Sequence, residues 1–383
     1  MPSLGRAPFA LAAALTFVRF ADEWTTYLPA GAFEPIRTDL ALHYVQASAP
    51  LIALPAGGLV GAGLVVAADY VSRRWLSALG ALAYGAAMIA FGLSHSIWVM
   101  VAAAFVWGAA SDAFVHGAEV ALVDLAGDDL PAALAKMNTW SSVGDLLGPV
   151  TLAVTAALTV GWRGAFIGLG VMMLGYAALL ASQRFPPPHP PEHRPRPLAG
   201  VIAILADRRV LALAAAMGLF ALLDEPLAAF LIAFQEHVRH RTPVAANALI
   251  LAWTFGQIAA FAAYERLVGE RGLRTVLVAS AVGVGLALPL AAFAPALWLE
   301  LPAMVLFGAA GAVFYVALEA ELLSLRPGQT GSVSAAVSLI GMVGMGFPAL
   351  VGATSDAFGL AAGLSLYLLV PVIILPLVAR NAR

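Results

Sequence analysis

The sequence predicts an all-α membrane protein of twelve transmembrane helices, arranged as two pseudo-symmetric six-helix bundles. Three observations lead there. Apolar residues make up 62 % of the 383 residues and charged residues 11 %, with a mean hydropathy of +0.91. Soluble domains carry about 25 % charged residues, and a chain this poor in charge cannot clothe a water-facing surface. Twelve apolar segments of bilayer-spanning length follow one another, and segments of the first half recur in the same order about 200 residues later.

A spanning helix needs about 20 mostly apolar residues. Such segments lie near 8–31, 45–68, 75–94, 97–124, 133–159, 162–183, 209–235, 243–263, 274–293, 297–324, 330–354 and 359–379, numbered here as spans 1 to 12. Most joints are short and polar, as in DYVSRRW (69–75), AGDDLPA (126–132) and LRPGQTG (325–331). The exception is QRFPPPHPPEHRPRPLAG (183–200), whose proline density predicts a linker rather than a packed element. The expected organisation is a six-helix bundle over 1–183, a Pro/Arg/His-rich linker over 184–208, and a second bundle over 209–383. The first apolar run begins near Phe9 after a single arginine and outruns the apolar region of a signal peptide, so it reads as span 1.

Basic residues orient the bundles. Arg6, Arg73, Arg74, Lys136, Arg184, Arg194, Arg196, Arg208, Arg209, Arg266, Arg271, Arg274, Arg326, Arg380 and Arg383 fall on the side of the termini. Only Arg37, Arg163, Arg239 and Arg241 fall on the other, and Arg19 lies inside span 1. The positive-inside rule then puts both termini in the cytoplasm, in a bacterial-type inner or plasma membrane.

The repeat carries chemistry. Span 1 reads RFADEWTTYLPAGAF (19–33) and span 7 reads FALLDEPLAAFLIAF (220–234), each with Asp-Glu in its middle. Adjacent carboxylates are costly in hydrocarbon and usually mark a substrate or ion pathway; the pair occurring twice points to a transport site duplicated with the fold. Gly108, Ala109, Ala110, Phe114, Glu119, Leu122 and Leu125 align with Gly308, Ala309, Ala310, Phe314, Glu319, Leu322 and Leu325, and Gly148-Pro149 answers Phe347-Pro348. Spans 1, 4 and 5 thus match spans 7, 10 and 11 in parallel order, as in transporters whose halves are related by an axis along the membrane normal.

With these features the whole chain resembles the major facilitator superfamily. That family carries a Gly-x-x-x-Asp-x-x-Gly-Arg-Arg/Lys motif between helices 2 and 3. Residues 65–74 keep Asp69, Arg73 and Arg74 but have Ser72 for the second glycine and Val65 for the first. The joint between spans 8 and 9, YERLVGERGLR (264–274), holds a looser version in Glu265, Gly269 and Arg271. The resemblance implies a cytoplasmic gate at these residues; topology anchoring is the plainer reading of the same charges. Gly144, Gly148 and Pro149 on span 5 are similar to efflux-type members. Span 4 departs from them, with Ala104 where that type has an arginine four residues before Gly108. The resemblance further implies a central cavity lined by spans 1, 4, 7 and 10.

Those are the spans with polar residues here. Arg19, Asp22 and Glu23 stand at i, i+3 and i+4 on span 1, so a salt bridge from Arg19 to one carboxylate would leave the other free to titrate. Asp112, His116 and Glu119 follow at i, i+4 and i+7 on one face of span 4. His116 is either a relay partner of Asp112, since histidine titrates near neutrality, or a packing histidine. Asp145 could pair with Arg19 or His116. Asp224, Glu225, Tyr315 and Glu319 are the counterparts in the second half, with Glu119 and Glu319 open to an inner-gate role and the Asp residues to an interhelical structural one. Trp24, Trp107 and Trp140 are candidate cavity walls or belt residues. At least nine carboxylates lie in the spans, those above plus Glu321, against Arg19 as the one basic residue set well back from a span end. They cannot all ionise together in a low-dielectric site, which favours a cation or neutral amphiphile exchanging with protons.

Other chemistries find no support. The chain has no cysteine, no His-Glu-x-x-His, no Gly-x-Ser-x-Gly and no phosphate-binding Gly-x-x-x-x-Gly-Lys. The net charge of −2 suggests no nucleic acid. The reading is therefore not an enzyme but a monomeric, cofactor-free, proton-coupled transporter working by alternating access. Efflux of a small organic solute is the first reading and uptake or facilitated diffusion the alternative, with a non-transporting receptor of the same fold further behind.

Overall fold

The structure, a computed structural model, describes residues 9–67, 72–126, 130–185 and 206–325, together with 337–381 except 338 and 343. These residues are helices and short connections, with no strand among them. Nine helical stretches among them are long and apolar enough to cross a bilayer. The other predicted spans appear as the broken span 1 and as helices Ala49–Ala67 (span 2) and Leu130–Ala157 (span 5). The chain divides into two compact units, Met1–Leu42 with Gln46–Arg194 and His43–Val45 with Pro195–Arg383.

In the first unit span 4 (Ile97–Ala126) lies between spans 2 and 3 (Arg73–Leu93), span 6 (Gly161–Ser182) packs on span 3, and span 5 on span 1. Its interior is aromatic. Trp107, Tyr84, Phe91 and Phe166 are all buried, with Phe91 stacked on Phe166 at 4.7 Å and Tyr84 against Trp107 at 5.5 Å. Trp107 is therefore core, not cavity wall.

The second unit repeats the plan. Span 10 (Leu297–Leu325) packs on spans 8 (Pro243–Arg271) and 9 (Leu273–Phe293), and span 12 packs on spans 7 and 9. Local signals set the ends. The Asp207 carboxylate accepts from the backbone N–H groups of Arg209 and Val210 to start span 7, and Thr242 with Pro243 starts span 8. Span 8 runs further than its apolar pattern, to Arg271, and stops at Gly272 with φ +78°. The expected joint YERLVGERGLR is thus mostly the last turns of a helix.

The repeat is also visible in how helices cross. A Cβ on Gly57 would fall 1.9 Å from the Phe105 carbonyl oxygen, and one on Gly108 1.9 Å from that of Leu54. In the second unit a Cβ on Gly256 would fall 2.1 Å from the Val305 oxygen, and one on Gly308 2.1 Å from that of Trp253. Both crossings bring backbone against backbone, the close approach that glycine permits in membranes. Trp98 and Trp298, in the first turns of spans 4 and 10, are exposed in both units, as belt residues are. Gly57→Ala should cost about 1–3 kcal/mol, the usual range for overpacking. Gly168→Ala, where a Cβ meets nothing within 4 Å, should be neutral; equal melting temperatures of the two variants in detergent would refute the crossing argument.

Candidate functional site

Span 1 is not one helix. It consists of Phe9–Thr16, Val18–Thr26 and Leu28–Gly31, with breaks at Phe17 and Tyr27. Asp22 and Glu23 sit on the middle piece. The backbone there is tied down by hydroxyls, since Thr25 and Thr26 donate to the Asp22 carbonyl at 2.8 and 3.0 Å. The Tyr84 hydroxyl, from span 3, is hydrogen-bonded to Thr25 Oγ1, with both side chains buried. Neither Tyr84 nor Thr25 stood out in the sequence.

The carboxylates reach separate partners. Ser111 Oγ donates to Asp22 Oδ1 at 2.6 Å, and Ser141 Oγ on span 5 donates to Glu23 Oε1 at 3.4 Å. Arg19 does not pair within its own helix. Its Nε donates to Glu119 Oε1, one hundred residues away on span 4. The long guanidinium arm reaches across to span 4, while Asp22 is met by the Ser111 hydroxyl. The stripe on span 4 is accordingly split. Glu119 faces span 1, whereas Asp112 lies over span 2, where a Cβ on Gly58 would be 3.5 Å from Asp112 Oδ2. His116 Nδ1 sits 3.1 Å from the Asp112 carbonyl oxygen, one turn back.

Span 5 closes tightly on this piece of span 1. A Cβ on Gly144 would fall 2.5 Å from the Phe20 carbonyl oxygen, and one on Gly148 2.8 Å from Tyr27 Cβ. The helix-5 glycines are thus contact points, and Asp145 follows the first of them, half-buried. Trp24 Nε1 donates to Thr151 Oγ1 at 2.8 Å. Phe17, Phe20, Trp24 and Trp140 form a ring cluster, with Phe17 and Trp140 centroids 4.5 Å apart.

The second unit places its acidic pair at a sharper break. Span 7 runs as Arg208–Phe220, a 3₁₀ turn at Ala221–Leu223, then Asp224 at φ −111°, ψ −125°, and Glu225–His237. Pro226 at the start of the new helix explains the interruption, because it cannot donate to the preceding turn. Asp224 is exposed and Glu225 half-buried, at a helix N-terminus that favours negative charge. Tyr315 and Glu319 are exposed one turn apart on span 10. Glu321 is spoken for, since Arg209 Nη2 donates to its Oε1 at 2.9 Å.

Of the expected gate, Asp69 lies outside the described residues, as does the side chain of Glu265. Arg73 is buried in the first turn of span 3. Arg74 donates to the Ala181 carbonyl at the end of span 6 and stacks over Trp75 at 4.9 Å, so it ties spans 3 and 6 of its own unit. Arg271 is exposed in the last turn of span 8.

The sequence profile described as "Major Facilitator Superfamily" matches residues 12–349. No curated protein sequence matches the chain. Among solved structures, a mutant of the nucleoside transporter NupG aligns with a TM-score of 0.78 at 13 % identity, over 97 % of this chain and 98 % of that one. A bacterial homologue of the human lysosomal transporter Spinster, inward-facing and unoccupied, aligns with a TM-score of 0.75 at 16 % identity, over 97 % and 95 %. At such identities these likenesses establish the fold.

Proposed function

The chain belongs to the Major Facilitator Superfamily, and from that premise we propose that it is a proton-coupled secondary transporter exporting a cationic or neutral amphiphile. It works as a monomer in the inner or plasma membrane with both termini cytoplasmic. One observation carries the reading. Asp22, Glu23 and Glu119 surround Arg19, the one arginine inside spans 1 and 4, which donates to Glu119. Asp22 rests on a hydroxyl, which can serve the carboxylate or the carboxylic acid. A site with more carboxylates than cations exchanges a proton for an organic cation, because either neutralises it.

The test is reconstitution with a pH-sensitive dye. A lipophilic cation added to acid-inside proteoliposomes should drive saturable proton efflux, lost when the gradient is collapsed. Solute movement with no proton flux for any cation would overturn the reading. Uptake of a flat neutral solute is the second reading, supported by the ring cluster of Phe17, Phe20, Trp24 and Trp140, and the direction of flux separates the two.

A further inference from the structure

The two units differ where the repeat should make them alike. In the first, span 5 is one helix and its Gly144 is pressed against the span 1 backbone at 2.5 Å. In the second, the glycine next to the matching place in span 11, Gly344, has the Leu222 side chain as its nearest neighbour, at 3.4–3.7 Å. Span 11 is interrupted there by a turn at Met345–Gly346 before its helix resumes at Phe347, opposite the 3₁₀ turn of span 7. Two breaks face each other, and between them lies a cavity of about 470 Å³ walled by Leu219, Leu222, Ile340, Gly344, Phe347 and Leu350. One turn further towards the termini the same helices touch, with a Cβ on Gly218 only 2.9 Å from the α-carbon of Gly341. The cavity is thus bounded at that end and framed by a close contact.

An acidic pair follows the wall residue Leu222 in sequence. Asp224, two residues past Leu222, is exposed at the break itself and is followed by Glu225. Discontinuous helices bearing acidic residues beside an apolar pocket are suited to a ligand with one charged and one greasy part. We propose that this cavity between spans 7 and 11 is the subsite for the apolar arm of an organic ammonium ion whose charged head sits at Asp224. The assignment rests on the cation–proton reading above and deepens it by fixing which half holds the arm. It commits the arm to the second unit because the equivalent crossing of the first is closed by backbone.

The probes are trimethylammonium ions with a butyl or a decyl arm and their neutral tert-butyl isosteres, titrated against the full chain in lipid nanodiscs. The decyl cation should bind at least about tenfold more tightly than the butyl cation, as burial of extra methylenes requires. Gly344→Leu fills the cavity without touching backbone. Gly346→Leu, where a Cβ meets nothing within 4 Å, fills it from the other side of the turn. Each should erase the decyl advantage, bringing decyl affinity down to that of the butyl cation. Asp224→Asn should weaken both cations and spare the neutral isosteres. Arm-length dependence that survives both glycine variants, in protein with unchanged melting temperature, overturns the proposal. So does equal displacement of cation and isostere by added phospholipid, which would make the occupant an acyl chain. If flux in proteoliposomes is proton-coupled but blind to the glycine variants, the subsite falls and the transport reading stands. Arm-dependent binding with no proton movement gives the reverse.

Discussion

Asn at both Asp22 and Asp224 should abolish gradient-driven accumulation while the protein still inserts and folds. The substitution keeps the shape of the side chain and removes its charge together with its ability to carry a proton. At position 22 the amide oxygen can still accept from Ser111, which donates to Asp22 Oδ1 at 2.6 Å. The Thr25 and Thr26 bonds go to the backbone carbonyl and are untouched. At position 224 the side chain is exposed, so the amide stays within reach of water. Stability should therefore change little, within about 1 kcal/mol, since the amide keeps the Ser111 bond at one position and contact with water at the other. Accumulation against a gradient should fall to the level of empty vesicles. Counterflow, which needs binding and rocking but no net proton movement, should persist at raised substrate concentration, since loss of the Asp224 charge weakens cation binding. Full concentrative activity in the double variant would remove both aspartates from the coupling path, and the single variants would then be uninformative. Loss confined to Asp22→Asn would assign the proton to the first unit and leave Asp224 to the substrate head.

The spans were legible because apolar length is a one-dimensional property, and so was the repeat, because the same residues recur in order. The acidic pairs announced themselves by cost alone: Asp-Glu in a span needs a reason. Their partners were not legible. Ser111 and Tyr84 meet span 1 through packing of spans 3 and 4, which no spacing within span 1 encodes. The Arg19 partner was misplaced for the same reason, since i, i+3 and i+4 rules see only neighbours on one helix. The four arginines on the far side in the charge count are a further case. Arg163 donates to Asp39 and to the Gly92 and Ser94 carbonyls, and Arg239 donates to the Phe293 carbonyl. Arg37 bonds Glu34, and Arg241 bonds the fully buried Glu300. Each is bound to a carboxylate or to carbonyls at a helix end, so its place reflects local structure rather than topology. The span 2–4 and 8–10 crossings were half legible: Gly108 and Gly308 aligned, but Gly57 and Gly256 gained meaning only when a carbonyl oxygen stood where their Cβ would be.

Arg19→Gln should depress transport sharply, and Glu119→Gln added to it should restore much of what is lost. The argument follows from what Arg19 touches. Its guanidinium meets Glu119, and Glu23 and Asp22 add to the negative field around it. Removing the arginine leaves a largely buried carboxylate without its cation beside two others. Breaking a fully buried pair costs about 3–5 kcal/mol, but the Arg19 side chain keeps 36 % of its exposure against 17 % for Glu119. The cost should accordingly be about 1–2 kcal/mol, read as reduced folded yield and a roughly tenfold slower flux. The double variant removes the charge that had to be compensated, so it should recover yield and most of the flux. Its pattern of substrates separates the two roles open to Arg19. If the arginine only neutralises Glu119, the double variant still exchanges cations for protons through Asp22. If it instead receives an anionic substrate, Glu119→Gln cannot rescue anything, and a dianion should bind the parent protein and fail to bind both variants. Saturable dianion binding that survives the loss of Arg19 would overturn the cationic preference altogether, because spans 1 and 4 hold no other arginine and no lysine.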